Sequence, residues 1–412
     1  MFVGIHKQSS QNTEMHKLLL AAFFILSLSL QSKLLAQAIV PVSSIQEAMK
    51  MENIQDSYLQ MNEYFRSKPL EKSAKPFVFP QKDNVALPEN FIIDGTTFEL
   101  TKYIDSSDTQ GLLVIQNDTI IYENYWKGQQ ANSKHISWSM AKSYISALIG
   151  IAIEEGHIKS IQEPIDNYLP ELKESGYEGV KIRHILEMAT GIGFDETYSD
   201  PNSDINRWWM SFIQGESQDA FAATLKRTQK PGKVNQYISI NTHVLGMLLT
   251  KATGKSITEY MQEKLWTPLG NESDAYWLSD KYGMEMALGG LNATLKDYAK
   301  LGQLFLQNGA WQGEQIVPKK WVKKSTKSGK PYLKAKSKNA LGYGYQWWIP
   351  YSKDGEFMAV GVFNQYIYVN PSTNTVIVKN SANRNYYDGS NPYRSSIVHL
   401  ELFRQIANSF SD

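Results

Sequence analysis

The sequence contains no cysteine among its 412 residues, which excludes disulfide bonds, catalysis by a thiol and a lipid anchor attached through cysteine. Its seven histidines are scattered singly, and no HExxH motif occurs, so we expect neither a metal site nor a cofactor. Basic and acidic residues nearly balance at 42 and 41, which leaves a formal net charge of +1. Without an excess of one sign, the chain lacks the charge that binding to nucleic acid or to an anionic membrane surface requires.

Long apolar runs are also scarce, and one run near the N-terminus stands out. His16 and Lys17 precede the run from Leu18 to Leu30, and the small residue Ala36 follows soon after it. This order is typical of a signal peptide over residues 1–36, with Met15 as an alternative start, and it predicts a periplasmic or secreted protein. The run is shorter than the ~20 residues of a membrane-spanning helix, so we expect no stable membrane anchor after cleavage. An uncleaved anchor and a buried helix stay open as alternatives.

The remainder of the chain divides at about residue 90. Residues 37–90 are polar, and prolines interrupt their second half, which predicts an N-terminal extension lying on the main domain. Residues 91–412 form that main domain. With 42% hydrophobic residues overall, the chain is long enough to bury a large core.

Strand patterns occur at both ends of the main domain. Gly111–Gln116 and Thr119–Glu123 flank Asn117-Asp118, which predicts a β-hairpin. Helical patterns dominate residues 158–330. Near the C-terminus the sequence predicts three more strands and a last helix, at Phe357–Phe363, Gln365–Val369, Thr375–Asn380 and Tyr393–Ser409. These patterns predict a mixed α/β (α+β) fold, in which one antiparallel sheet forms from both chain ends and a helical insert lies beside it.

The strongest chemical signal is Ser139-Met140-Ala141-Lys142, which opens a helical pattern from Ser139 to Glu155 that is apolar nearly all round. Three residues apart on a helix, the serine and the lysine lie on one face. A lysine desolvated by its surroundings can lose its proton and activate the serine as a nucleophile. By itself this spacing arises by chance, and a helix-capping serine followed by a solvated lysine is the alternative.

A second segment supplies a tyrosine and a serine before another apolar helix. Tyr237 and Ser239 follow the turn at Pro231-Gly232. A phenol held near a lysine ammonium is expected to have a lowered pKa, so Tyr237 could relay a proton to a leaving group. A buried structural tyrosine is the alternative.

These segments, with a C-terminal strand ending in Gly361, resemble the three motifs of serine β-lactamases and DD-peptidases: Ser-x-x-Lys, Tyr-x-Asn and Lys-Thr-Gly. The chain is more similar to the branch of 6-aminohexanoate-dimer (nylon oligomer) hydrolases and related esterases. The similarity covers roughly Leu112 to the C-terminus and lies in motif order. The segments that carry it are ISWSMAKS (136–143), ETYSDPNSD (196–204), YISINTHVLG (237–246), GGLNATLKDYAKLGQLFLQNG (289–309), GYGYQWW (342–348) and QYIYVNP (365–371).

The resemblance implies a serine β-lactamase/DD-peptidase-like fold and a serine hydrolase that works through an acyl intermediate. It implies Ser139 as the nucleophile, Lys142 as the general base and Tyr237 as the proton relay. The backbone N–H groups of Ser139 and Val362 would form the oxyanion hole. Tyr198 is the candidate for holding a substrate amide.

Two departures from the family pattern bear on the substrate. Ser239 stands where Asn closes the second motif, so a contact of that side chain with the substrate is lost or altered. Ala359-Val360-Gly361 replaces Lys-Thr-Gly, which removes the cation that grips the carboxylate of penicillins. We therefore expect a small-molecule ester or amide as substrate.

The alternatives are a DD-peptidase or class C-like β-lactamase and, from another class, an inactive binding protein on the same fold. Trp347, together with Trp138, Tyr343 and Trp348, is a candidate for lining an apolar acyl pocket, although aromatic residues in such runs more often lie in the core. The natural substrate and the oligomeric state stay open.

Overall fold

The computed structural model describes residues 40–410. The predicted signal peptide, residues 1–36, lies outside this range. Residues 42–412 form one compact unit. Across the range that is described, no helix is both long and apolar enough to cross a membrane.

The strands of the described range are β1 Ser67–Leu70, β2 Asn90–Ile93, β3 Thr96–Glu99, β4 Thr109–Gln116, β5 Thr119–Tyr125, β6 His135–Ile136, β7 Ala275–Leu278, β8 Leu291–Ala293, β9 Ala310–Trp311, β10 Glu314–Gln315, β11 Leu341–Tyr343, β12 Trp348–Pro350, β13 Phe357–Gly361, β14 Gln365–Asn370 and β15 Thr375–Ser381. The α-helices are α1 Val42–Ala48, α2 Ile54–Ser57, α3 Met61–Tyr64, α4 Leu100–Ser106, α5 Ala141–Glu154, α6 Ile182–Leu186, α7 Asp204–Ile213, α8 Gln218–Thr224, α9 Ile240–Thr253, α10 Ile257–Met261, α11 Leu295–Leu306, α12 Lys319–Ser325 and α13 Ser396–Asn408.

The main sheet has seven strands in the order β11-β12-β13-β14-β15-β4-β5, and each neighbouring pair is antiparallel. The C-terminal strand β15 pairs with β4 from Thr375 opposite Gln116 onwards. Strands from the two chain ends therefore meet in the middle of one sheet, which confirms the predicted architecture. The predicted hairpin and the three C-terminal strands are present, and β11 and β12 extend the sheet beyond them.

Side chains alternate between the two faces of this sheet, as strand geometry requires. On one face, Ile377 and Tyr368 belong to a core cluster that includes Leu402 and Phe403 of α13. On the other face lies α11, which approaches so closely that a methyl group on Gly302 would lie 2.6 Å from Val376. Glycine at this position lets the helix backbone pack directly on the strands.

A second sheet joins the N-terminal segment to the helical insert. It has the order β1-β7-β8-β6, and β1 pairs with β7 from Ser67 opposite Leu278. Residues 42–90, predicted as an extension, thus pack within the same compact unit as the main domain. Strand β6 lies at the end of this sheet, two residues before Trp138, so the second sheet fixes the backbone that leads into the Ser-x-x-Lys motif.

Helices α5 and α9 are buried along most of their length, as a helix apolar on all sides must be. They pack against each other. Helix α5 follows the Ser-x-x-Lys serine and α9 follows Tyr237, so their contact brings the first two motifs together.

Candidate active site

Ser139 lies in a short 3-10 turn, Trp138–Met140, which leads into α5. The helix proper therefore begins two residues later than the pattern from Ser139 predicts. Trp138 has a φ of 43°, in the left-handed region that a bulky residue rarely adopts. This backbone turn places Ser139 at the wall of a cavity, with 8% of the residue exposed.

Lys142 is in the first turn of α5 and is 1% exposed. Its Nζ lies 2.8 Å from Ser139 Oγ and donates a hydrogen bond to the carbonyl oxygen of Leu288 at 2.7 Å. Burial lowers the pKa of Lys142 to about 7, and the negative charge of Glu196 opposes this shift in part. At neutral pH a large fraction of the amine is therefore neutral and can accept the serine proton.

Tyr237 is the third predicted catalytic residue that lies beside Ser139. Its hydroxyl hydrogen-bonds with the side chain of Ser139, and Lys142 Nζ lies 5.3 Å from the centre of its ring. The ring stacks on Trp348 at 5.2 Å. The structure thus brings Ser139, Lys142 and Tyr237 together.

The expected lowering of the Tyr237 pKa is wrong. Burial of the phenol, with the charge of Glu196, raises the pKa of Tyr237 above its ordinary value, although its bond to Ser139 acts in the opposite direction. The reason is that desolvation of the buried phenol disfavours its charged form more than its hydrogen bonds favour it. Tyr237 therefore stays protonated and can act as a proton donor.

Ser239 and Tyr198 meet at the carboxylate of Glu196. The Ser239 backbone N–H donates to Glu196 Oε2 at 2.9 Å, and the Ser239 hydroxyl donates to Oε1. The Tyr198 hydroxyl donates to the same Oε1 at 2.7 Å. Ser239 is 1% exposed and its hydroxyl is taken by Glu196 rather than directed into the cavity, whereas Tyr198 does line the cavity.

The end of β13 lies against the peptide of the nucleophile. A methyl group on Gly361 would lie 2.6 Å from the carbonyl oxygen of Ser137 and 3.1 Å from the backbone nitrogen of Ser139. Glycine is therefore needed for this close approach. Val362, the next residue, lines the cavity together with Ser139. Both residues whose backbone N–H groups are predicted to form the oxyanion hole therefore line the same cavity.

The cavity beside Ser139 has a volume of about 250 Å³ and walls that are mostly apolar. Aromatic side chains dominate the walls, and Trp138 packs edge-on against Trp209 at 5.8 Å. The lining residues are Met49, Met51, Tyr58, Trp138, Ser139, Tyr198, Ile205, Asn206, Trp208, Trp209, Leu288, Val362, Phe363 and Tyr387.

Some predicted pocket residues lie elsewhere. Trp347 is fully buried and packs on Phe305 at 4.7 Å and on Phe357 at 5.1 Å, so it is a core residue rather than part of the cavity wall. Tyr343 and Trp348 contact the ring of Tyr237 and orient it instead. Of the four predicted aromatic residues, Trp138 lines the cavity.

The cavity also contains residues that the sequence analysis did not single out. They come from the N-terminal segment, from α7, from the turn between β13 and β14, and from the loops that contain Leu288 and Tyr387. The adjacent Trp208 and Trp209 on the strongly amphipathic helix α7 were a usable signal, because tryptophan pairs near catalytic motifs can form apolar walls. Met49, Met51 and Tyr58 carry no such signal, since they come close to Ser139 through long-range contacts such as the hydrogen bond from the Ile136 N–H to the Tyr58 carbonyl.

No group of three or more histidine, cysteine, aspartate and glutamate side chains suited to a metal ion occurs within residues 40–410. The donors around Ser139 are an amine, a phenol and backbone amides, which fit proton transfer rather than metal binding.

Comparison with known proteins agrees with this geometry. A family model described as beta-lactamase matches residues 102–401. The chain belongs to the beta-lactamase family. Its fold is the mixed α/β fold of that family, and the chain is a hydrolase.

Individual relatives lie in the branch that the motifs indicate. The chain is 29% identical over 303 residues to a 6-aminohexanoate-dimer hydrolase of Paenarthrobacter ureafaciens, covering 69% of this chain and 75% of the relative. A solved Bacillus anthracis protein, provisionally described as a 6-aminohexanoate-dimer hydrolase, aligns with a TM-score of 0.75 and 27% identity over 87% of this chain and 94% of its own. The hydrolase EstCE1, which has promiscuous acyltransferase activity, aligns with a TM-score of 0.58 over 74% of this chain and 96% of its own, but at 15% identity it shows the fold alone.

Within this beta-lactamase-like site, Ala359 of β13 takes the place of the third-motif lysine and is 1% exposed. Its neighbour across the strands is Ile367. This stretch of β13 therefore offers an apolar surface where the third motif supplies a cation.

Proposed function

We propose that this chain cleaves an ester or amide through an acyl intermediate on Ser139. The observation that carries the proposal is the buried amine of Lys142, 2.8 Å from Ser139 Oγ, with a pKa lowered to about 7. An isolated serine hydroxyl is a poor nucleophile, and a neutral amine at this distance is the base that it needs.

Acylation follows from the contacts around Ser139. Neutral Lys142 accepts the hydroxyl proton while Ser139 Oγ bonds to the substrate carbonyl carbon, whose π electrons move onto the oxygen. The backbone N–H groups of Ser139 and Val362 stabilise this oxyanion. Tyr237 donates its proton to the leaving alcohol or amine as the bond to that group breaks, and Lys142 returns a proton to Tyr237.

Deacylation uses the same groups in the reverse order. A water molecule takes the place of the leaving group, and Tyr237 with Lys142 accepts its proton as its oxygen bonds to the acyl carbon. The bond from Ser139 Oγ to that carbon then breaks, and Ser139 recovers its proton. The products are a carboxylic acid and the free enzyme.

The replacement of the third-motif lysine by Ala359 favours simple esters and amides over penicillin-type substrates. A charge-assisted contact is worth roughly 1.5–3 kcal/mol, which corresponds to about ten- to a hundredfold in rate if it is made in the transition state. We therefore expect kcat/KM for a short-chain nitrophenyl ester to exceed that for a chromogenic cephalosporin by at least about tenfold.

The test compares purified enzyme on a nitrophenyl ester, the 6-aminohexanoate dimer and a chromogenic cephalosporin, with Ser139→Ala as the blank. Ester or dimer turnover that disappears in Ser139→Ala supports the proposal. Efficient cephalosporin hydrolysis would instead assign the chain to the β-lactamase or DD-peptidase alternative, and no turnover of any of the three would support an inactive binding protein.

A further inference from the structure

The N-terminal segment forms one wall of the cavity beside Ser139. We call residues 42–65 the N-terminal wall. Met49, Met51 and Tyr58 from this wall line the cavity together with Ser139. Residues far from the catalytic motifs in sequence thus shape the space next to the nucleophile.

Hydrogen bonds attach the N-terminal wall to the strands that lead to the nucleophile. The Ile136 N–H donates to the Tyr58 carbonyl at 3.1 Å, and Gln110 Nε2 donates to the Gln55 carbonyl at 2.8 Å. Gln55 Nε2 in turn donates to Asp108 Oδ1 at 2.8 Å. The Tyr58 ring packs at 5.4 Å from that of Trp138. These contacts fix the N-terminal wall against the residues that precede Ser139.

The lining of the cavity sets the chemistry of what it can hold. None of the fourteen lining residues carries a formal charge, and the side chains of Tyr198 and Asn206 are already engaged with Glu196 and with backbone carbonyls. A charged group entering this space would lose its hydration without gaining a partner. An apolar cavity of about 150 Å³ already admits benzene, so about 250 Å³ accommodates an aromatic ring or a short hydrocarbon chain.

The position of the cavity relative to Tyr237 indicates which part of the substrate it holds. Tyr237 donates to the leaving group in the proposed reaction, and neither Tyr237 nor Lys142 lines the cavity. Ser139 and Val362, which hold the carbonyl, do line it. A cavity that meets the residues proposed to hold the carbonyl but not the proton donor fits the acyl side of the substrate rather than the leaving group.

On the basis of the proposed function, we infer that the N-terminal wall completes an acyl subsite that selects uncharged, apolar acyl groups of about six carbons or one aromatic ring. Met49 and Met51 determine how well this acyl group is held. The two thioether side chains are half-buried and flexible, so they can pack against a chain or a ring.

The experiment measures kcat/KM of the full chain on nitrophenyl acetate, hexanoate, benzoate and 6-aminohexanoate. For the native enzyme we expect hexanoate and benzoate to exceed both acetate and 6-aminohexanoate by about tenfold or more. In a Met49→Ala/Met51→Ala double variant the hexanoate-to-acetate ratio of kcat/KM should fall about tenfold, because the longer acyl group loses its contacts with the wall. Leu59→Ala is the matched control, since Leu59 lies in the same wall, is half-buried and does not line the cavity.

The failure of this inference differs from the failure of the proposed function. If Ser139 is required for acetate turnover but the acyl preference is absent, or survives the double variant, or is lost equally in Leu59→Ala, the inference is overturned and the proposed function stands. A preference for 6-aminohexanoate over hexanoate also overturns it. If the native chain cleaves the 6-aminohexanoate dimer but none of these esters, the inference alone is overturned; if it cleaves neither, both fail together.

Discussion

Two buried serine–lysine pairs occur within residues 40–410, and they differ in what surrounds them. Lys142 approaches Ser139 on a helix, and Lys379 donates a hydrogen bond to Ser381 on β15. Both lysines are buried, and burial lowers the pKa of each. Each also lies about 5 Å from the centre of a tyrosine ring, Lys142 at 5.3 Å and Lys379 at 5.4 Å.

The difference lies in access. Ser139 is partly open to a cavity that Val362 also lines, whereas Ser381 has no exposed surface and does not line that cavity. The tyrosine partners differ too, because the Tyr237 hydroxyl bonds to Ser139 while the buried hydroxyl of Tyr103 makes no hydrogen bond within the range that the structure describes. We therefore propose that a buried amine beside a serine is active only where a cavity, an oxyanion hole and a proton relay accompany it.

The largest expected effect separates the two serines. Ser139→Ala should abolish ester turnover, since it removes the nucleophile, whereas Ser381→Ala should keep turnover within about tenfold of the native chain. Removing the Ser381 hydroxyl leaves Lys379 without that partner, so unfolding free energy should fall by about 1–3 kcal/mol. Turnover by variants with native circular dichroism and a urea titration measure the two effects. Ser139→Ala activity within tenfold of native would mean that the site is wrongly assigned.

The two tyrosines give the next effect. Tyr237→Phe keeps the ring on Trp348 but removes the proton donor, so kcat should fall by roughly 10²–10⁴-fold. Tyr103→Phe is the matched control, because it removes a hydroxyl that has no hydrogen-bond partner in the described structure, and it should leave kcat unchanged. Steady-state kinetics on one nitrophenyl ester measure kcat for both variants and for the native chain. Equal effects of the two substitutions would contradict a relay at Tyr237.

The smallest effect is the pH dependence of turnover. Because the pKa of Lys142 is lowered to about 7 and the neutral amine is the base, kcat/KM should fall about tenfold per pH unit below 7 and level off above it. Lys142 also makes the stability of the fold depend on pH. Between pH 7 and the ordinary lysine pKa of 10.5, this side chain binds more protons in the unfolded chain than in the folded chain. Its contribution to stability therefore rises with pH in that window. In Lys379→Met the fall in kcat/KM below pH 7 should stay in place, because the Lys379 amine bonds to Ser381 and not to Ser139. If that fall in kcat/KM shifts to another pH in Lys379→Met, Lys379 rather than Lys142 is the base.

The comparison also explains how much of the molecule its sequence can predict. The hairpin of β4 and β5, the C-terminal strands and the buried helix α5 follow from local apolar patterns, which the chain carries clearly. The distance between Ser139 and Lys142 follows from helical spacing and holds although the turn at Ser139 is 3-10.

Other parts depend on contacts that no local pattern reveals. Tyr58 reaches the cavity through contacts with Ile136 and Trp138 that are distant in sequence. Trp347 lies in the core because its ring packs on Phe305 and Phe357. The raised pKa of Tyr237 depends on burial and on the position of Glu196, which residue types alone do not give. Local sequence patterns therefore predict the helices, the strands and the chemistry of the motifs. The shape of the cavity depends on tertiary contacts, which only the folded structure shows.

The proposed chemistry requires Ser139 to be the reactive serine, and covalent labelling tests this requirement. The native chain is treated with a fluorophosphonate at pH 8, and the modified residue is identified by mass spectrometry of the peptides. We predict one adduct, on Ser139, which is lost in Ser139→Ala and strongly slowed in Lys142→Ala, with Ser381 unmodified. An adduct on Ser381 or another serine, or no adduct on a chain that turns over esters, would contradict the assignment of Ser139 as the nucleophile.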